Sequence, residues 1–438
     1  MNIVKNLLLV VLLAVVLVAW VMLPWSGAVL LAVLVAAWLM LTRRGQQARS
    51  VAYVGISTLS QRLGSSAVIV VGIAGVVAVL VALLAMAEGY AQTLRNTGSQ
   101  DTAIVMRGAS AAEVASVLDN TSTTLIAQTP GIARDTKGEP LASSELVVAA
   151  NLQTKKGGPG EEGSVQLRGV GDQAFSVRPQ IRIVEGRRFQ PGLRELIAGR
   201  GAARQFANLS PGQQVRLGSQ PWTVVGVFAS GDAMESEIWA DAAVVADAYR
   251  RGSGRASVTA RLTDAKTFDS FKTALDTNPQ LKVDASTTLD YFSKQSEKMT
   301  QVIRTIGITV GTIMAIGAMF GALNTMFAAV ASRAREIATL RAIGFPGLPV
   351  VIAVMLETML LALVGGVIGG LLAWAIFNGY SASTMAAGSV GLLSFELRVT
   401  PELLWTGLKW ALAIGFIGGL FPAVRAARLP VTTALREL

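Results

Sequence analysis

Along the chain, apolar and polar positions alternate on two different length scales. Long apolar runs occur at Leu7–Leu23, Ala28–Leu41, Ser66–Ala87, Ile306–Ala331, Val350–Phe377 and Leu403–Phe421, the first two without a charge. Runs of this kind predict helices that sit in lipid. The first two are short for a hydrocarbon core of about 30 Å, so they read either as a membrane hairpin turning at Pro24-Trp25-Ser26-Gly27 or as a re-entrant or interfacial one. Between Glu88 and Glu297 the pattern changes to strand-length apolar runs set among Gly, Ser, Thr, Asp and Gln. Strands are predicted at Thr102–Met106, Leu146–Asn151, Val165–Leu167, Ile181–Val184, Gln214–Leu217, Thr223–Phe228 and Ser257–Leu262, and helices at Ala111–Leu118, Ala242–Tyr249 and Ala265–Thr277. Gly157-Gly158-Pro159-Gly160 marks a loop. The fold class expected is an α-helical membrane protein with an inserted α+β extracytoplasmic domain.

The segment Ser332–Ile343 breaks the pattern. It continues the fourth long run with Ala334, Ile337, Leu340 and Ile343 recurring every third residue, with Arg333, Arg335, Glu336 and Arg341 between them, and it stops at Gly344-Phe345-Pro346. Such spacing gives one broad apolar face and one charged face. The segment reads equally as a basic juxtamembrane helix resting on lipid and as an element shaped for docking. Val302–Ile343 is expected to form one nearly continuous rod of about 60 Å at 1.5 Å per residue.

Composition sharpens this picture. The 438 residues are 52% hydrophobic and 15% charged, with a mean hydropathy of +0.52, too apolar for an ordinary soluble protein. The net charge of +10 is assigned to the cytoplasmic side of a membrane protein, and nucleic acid is not expected as a partner. With the central domain outside, the inner side collects Lys5, Arg43, Arg44, Arg49, Arg62, Arg333, Arg335, Arg341, Arg425, Arg428 and Arg436, as the positive-inside rule requires. Val51–Leu63, mildly amphipathic, belongs at that surface beside lipid head groups. A cleaved leader is disfavoured because no small-x-small site follows the first run. The chain contains neither Cys nor His, which removes thiol nucleophiles, His-based triads and Cys/His zinc sites. No catalytic, cofactor or metal residues are assigned. Glu357 and Lys409 lie about seven residues inside their spans, about 10 Å deep, where a functional role and a snorkelling structural one are both open.

Asn324–Phe345, ending SRAREIATLRAIGF, Leu356-Glu357 with the Gly365–Gly370 run, and Gly419–Pro430 resemble MacB/FtsX-type ABC transporter permeases. Weaker likeness continues at Gly72–Gly89, Glu185–Phe189 and Val224–Phe228. The resemblance implies four core spans with an outer domain between the first and second, and a loop between the second and third that docks on an ATPase. That loop is residues 332–349, and Arg333, Arg335, Glu336, Ile337, Leu340, Arg341 and Gly344 are the implied contacts. The division expected is 1–50 hairpin and basic linker, 51–88 amphipathic segment and first core span, 89–297 outer domain and 298–438 three core spans. No G-x-x-x-x-G-K-[ST] loop occurs, so ATP belongs to a partner ABC ATPase subunit. The family further implies a homodimer or heterodimer of permeases in the bacterial cytoplasmic membrane. An extracytoplasmic adaptor is a further partner class left open. Four glycine pairs, Gly317/Gly321, Gly365/Gly369, Gly366/Gly370 and Gly415/Gly419, suit close helix packing within one bundle or between two. Two functions stay open: a permease subunit coupling ATPase closure to movement of the outer domain, and a non-transporting FtsX-like scaffold regulating a cell-wall enzyme. The N-terminal hairpin departs from the family core and has no assigned role.

Overall fold

The computed structural model describes residue 16 and residues 19–57, 63–155, 160–342, 344–385 and 391–428. Most of Leu7–Leu23, together with Lys5, Arg62, Ile343 and Arg436, lies outside the described residues. The chain falls into two compact units, Met1–Ala85 with Ile303–Asn378 and Arg398–Leu438, and Met86–Val302 with Gly379–Leu397.

The first unit is helical. It contains α1 (Trp25–Leu41), α2 (Arg43–Ser57) and the part of α3 (Leu63–Thr97) up to Ala85. Among the described residues, four helices are long and apolar enough to cross a membrane: α3, Thr288–Ser332, Gly347–Phe377 and Pro401–Arg428. Glycines set their spacing. A Cβ at Gly365 or Gly369 would meet backbone oxygens of Val70 or Ala74 on α3, and one at Gly366 would meet Ala411 and Leu408 of the last span. Gly415 and Gly419 are similarly closed by Ala362 and Thr358. Three of the four glycine pairs therefore serve packing inside the bundle. Gly317 and Gly321 have nothing within 4 Å.

The second unit is mixed. Its strands are β1 (Thr102–Arg107), β2 (Ala142–Gln153), β3 (Glu162–Val170), β4 (Arg182–Gly186), β5 (Glu195–Gly199), β6 (Gln214–Leu217), β7 (Gln220–Ala229), β8 (Glu237–Asp241), β9 (Ser257–Arg261) and β10 (Val283–Thr287). They form one sheet in the order β10-β1-β9-β2-β3-β8-β5-β7-β4, with β6 on β7. β3–β8 and β5–β7 are parallel and the other pairs antiparallel. Helices α4 (Asn120–Ala127), α5 (Gln173–Val177), α6 (Arg200–Gln205), α7 (Ala242–Ala248) and α8 (Phe268–Asp276) accompany it. One core lies under β1, β9 and β10 around Phe271, Ile126 and Val258, and another around Trp222, Phe206 and Leu167. The connection after Gly347–Phe377 forms a ribbon of β11 (Ser381–Met385) and β12 (Leu392–Glu396) in this unit.

Two expectations change. Ala111–Leu118 is not a helix: a single 3-10 turn, Glu113–Ala115, forms there, and the neighbouring helix is α4, started by the Asp119 carboxylate accepting from the Ser122 amide at 2.6 Å. The long rod is also broken. Helix α9 (Thr288–Ser332) begins well before Val302 and ends at Ser332, and α10 (Ala334–Ala342) is a separate helix.

Candidate functional site

The corner between α9, α10 and α11 (Gly347–Phe377) is closed at both ends by local geometry. At Arg333 the chain leaves α9 with its amide donating to Val330 O at 3.2 Å, and its own carbonyl accepts from Ile337 N at 3.0 Å, opening α10. At the far end Phe345 N donates to Leu340 O and Gly344 N to Arg341 O, both at 3.1 Å. Gly344 has φ +102°, the left-handed position that such a helix stop reserves for glycine. Phe345 and Leu340 both pack against Val51, Ala52 and Ala353. Pro346 then starts α11.

The face expected to meet a partner turns inward. Ile337 is 6% exposed within the helical core, and Leu340 packs with Val51 and Ala52 of α2 and Ala353 of α11. The physical reason is supply of apolar surface: α2 carries Gly45, Ala48, Val51, Ala52 and Gly55 on one buried face, which packs chiefly on α11, and Leu340 of α10 reaches its Val51 and Ala52. What α10 and the start of α11 leave exposed is Arg335, Glu336, Thr339, Gly344 and Leu348, while Arg341 is half-buried. A cavity of about 450 Å³ opens between Val51, Ile337, Leu340, Phe345, Val350 and Val354.

Arg333 and Glu357 meet. Arg333 Nη1 lies 3.0 Å from Glu357 Oε2 with both side chains mostly buried, and Arg333 Nε lies 3.3 Å from Glu336 Oε2 on the exposed side. Gly55 backs this pair so closely that a Cβ there would lie 3.1 Å from Glu357 Oε2 and 3.2 Å from Arg333 Nη1 and Nη2. Sequence reading missed α2 as part of the site. Its small residues at spacings of three and four were the available signal. Lys409, on α12 (Pro401–Arg428), lies elsewhere, donating to Val21 O at 2.6 Å.

Among the described residues no group of three or more acidic side chains could hold a metal. In the outer unit, a buried ionic cluster centres on Arg168, which donates to Glu113, Glu145 and Glu237. Arg178 also donates to Glu145. Burial alone would raise the Glu145 carboxyl, but Arg178 and Arg168 hold it below the usual range.

The sequence profile of the MacB-like periplasmic core domain matches residues 66–278, and that of the FtsX-like permease C-terminal matches residues 308–431. The macrolide export ATP-binding/permease protein MacB of Photorhabdus laumondii is 27% identical over 292 residues, covering 63% of this chain and 44% of that protein. The uncharacterized ABC transporter permease YknZ of Bacillus subtilis is 25% identical over 292 residues, covering 63% of this chain and 71% of that one. The chain thus spans less than half the length of that MacB relative. Among solved structures, the extracellular domain of YknZ from Gram-positive bacteria covers 42% of this chain and 99% of its own at 17% identity and a TM-score of 0.32. The periplasmic region of MacB from Actinobacillus actinomycetemcomitans covers 46% and 92% at 16% identity and a TM-score of 0.33. With both profiles matched in order and, among the described residues, four helices long and apolar enough to span a membrane, the chain is a membrane protein with a large extracytoplasmic α/β domain and belongs to the MacB/FtsX-type ABC transporter permeases.

Proposed function

We propose that the chain is the permease subunit of a bacterial ABC transporter, set in the cytoplasmic membrane, and that the α9–α10–α11 corner docks on a separate ABC ATPase whose closure moves the outer domain. The observation that carries this reading is the corner itself: a nine-residue helix stopped at a left-handed glycine, with Arg335, Glu336, Thr339 and Leu348 outward. A helix serving only to rest on lipid would turn its apolar face out. Here that face is used internally. Arginines in α2, α10 and the end of α12, namely Arg43, Arg44, Arg49, Arg335, Arg425 and Arg428, support a cytoplasmic position for this side. ATP is bound and hydrolysed by the partner, because the chain carries no phosphate loop.

The partner surface also includes a second permease. The spanning window of α9 is 22% buried against 44% for the other three, and its open Gly317 and Gly321 lie on the uncovered side. We assign that face to a homodimer or a heterodimer of permeases.

The test is co-purification with a co-expressed ABC ATPase. Arg335→Glu combined with Leu348→Asp changes exposed positions only, and should lower ATPase recovery at least about tenfold, the effect of about 1.4 kcal/mol. Unchanged recovery and unchanged ATP turnover would sink the docking assignment. Recovery of a cell-wall hydrolase as the dominant partner, with no ATPase, would favour the scaffold role instead.

A further inference from the structure

Glu357 and Lys409, the two ionisable side chains set inside the last two spans, both attach to the N-terminal part of the chain. Lys409 Nζ lies 2.6 Å from Val21 O and 3.4 Å from Leu23 O, and the Trp20 indole N–H donates to Lys409 O at 2.9 Å. The chain leaves its helical path at Leu23 and Pro24 before α1. Proline has no amide hydrogen to offer, and carbonyls at a helix end inside an apolar region need donors from elsewhere. The ammonium group supplies them. At the other end, Gly55 of α2 sits against the Arg333–Glu357 pair, and Val51 and Ala52 pack with Leu340, Phe345 and Ala353.

Between these attachments the path turns a corner held by local hydrogen bonds. Helices α1 and α2 meet at 97°. Thr42 holds the bend, its hydroxyl donating to Trp38 O at 2.9 Å and accepting from Gly45 N at 3.0 Å. A Cβ at Gly45 would come within 2.3 Å of Trp38 O, so the corner admits no larger residue without opening.

We infer that residues 20–57 form a strap on the docking corner, fixed to the last span by Lys409 and to α10 and α11 by Gly55 seated on the Arg333–Glu357 pair. The strap rests on the reading of α10 as the docking helix, and Arg333, Glu357 and Lys409 are positioning residues in it. A load on α10 then passes to α11 through the ion pair, and through α2 and α1 to α12. Gly55 is small because the strap must come within contact distance of charged groups already paired with each other. A larger side chain there separates the strap from the pair.

Because the chain lacks cysteine, oxidative cross-linking of Ala52→Cys with Ala353→Cys in membranes holding the full-length protein reads the strap directly. Cross-linking should be efficient in the otherwise unchanged chain. It should fall at least about fivefold with Gly55→Leu or Arg333→Glu, the effect of about 1 kcal/mol, and recover when Arg333→Glu is combined with Glu357→Arg. Arg333→Lys should keep most of it. Equal cross-linking in Gly55→Leu, or a charge-reversed pair no better than Arg333→Glu alone, overturns the strap. In complexes with the ABC ATPase that co-purifies, Gly55→Leu and Lys409→Met should leave the ATPase bound and lower ATP turnover about tenfold, with Lys409→Arg near the parent value. Parent-level turnover in those variants removes the coupling role. If no ATPase accompanies the unaltered chain, the docking reading falls while the cross-link still decides the strap.

Discussion

Arg168 is 1% exposed and uses all five of its guanidinium N–H groups, donating to Glu237 at 2.7 and 2.9 Å, Glu113 at 2.9 and 3.0 Å and Glu145 at 2.8 Å. Glu237 also accepts from the Trp239 indole and Glu113 from Ser257. Removing the guanidinium leaves three carboxylates buried without their shared partner. Arg168→Met should therefore cost about 3–5 kcal/mol, read as a lower thermal midpoint of the purified chain. Two carboxyls give opposite pH signatures. Glu145 is held below its unfolded value, so its contribution is present above that value, about 4.3, and is lost as pH falls through the folded one. Asp232 is raised, chiefly by burial, against hydrogen bonds from Ser230 and Met234. Its contribution is present below the unfolded value, about 3.9, and is lost as pH rises through the folded one, so at neutral pH the charge is a cost. Asp232→Asn keeps the acceptor for Met234 N and should raise the thermal midpoint at pH 7. The gain should disappear near pH 3.5, and a gain equal at both pH values would contradict the assignment.

The glycines of the spans separate by what faces them. A Cβ at Gly369 would lie 2.4 Å from Ala74 O, which is backbone and cannot swing aside. Gly369→Val should therefore destabilise the bundle by about 1–3 kcal/mol and reduce recovery of folded protein. Gly317→Leu meets open space and should leave folding intact while weakening self-association, measurable by light scattering in detergent. The same contrast explains what was legible in sequence. Spans and strong strands such as β7 could be read because period and length suffice for them. β5 and β8 are short strands whose pairing across the sheet, not their own pattern, decides them. β11, with sequence SASTM, has no apolar alternation to read. At the α9–α10–α11 corner, the glycine stop and the apolar spacing were visible in sequence, but the direction of the apolar face was not. Ile337 points inward because the spans around Val330, Val350 and Val354 offer it a core, and Leu340 because α2 and α11, distant from it in the pattern, bring Val51, Ala52 and Ala353 beside it. The partners of Glu357 and Lys409 were hidden for the same reason: Arg333 lies on the preceding span's end and Val21 almost the whole chain away.

At the level of the whole molecule, the chain contributes to the outer unit in two separate passages, Met86–Val302 and Gly379–Leu397. The second passage is not decoration. Phe395 and Leu393 are 2% and 4% exposed, Leu392 packs on the core around Trp222, and Ser394 N donates to Ser236 Oγ at 2.8 Å. A fragment ending at residue 302 should therefore bind a hydrophobic dye more strongly than one to which residues 379–397 are restored by a linker, and equal binding would show the ribbon to be dispensable. The ribbon also sets an order of events during synthesis. Chains leave the ribosome from the N-terminus, so the outer domain cannot complete its core until the third span has been made and the chain has returned to deliver β11 and β12. For that interval the surface around Ser236 stays uncovered, and assembly of the outer domain becomes a report that the third span has been inserted.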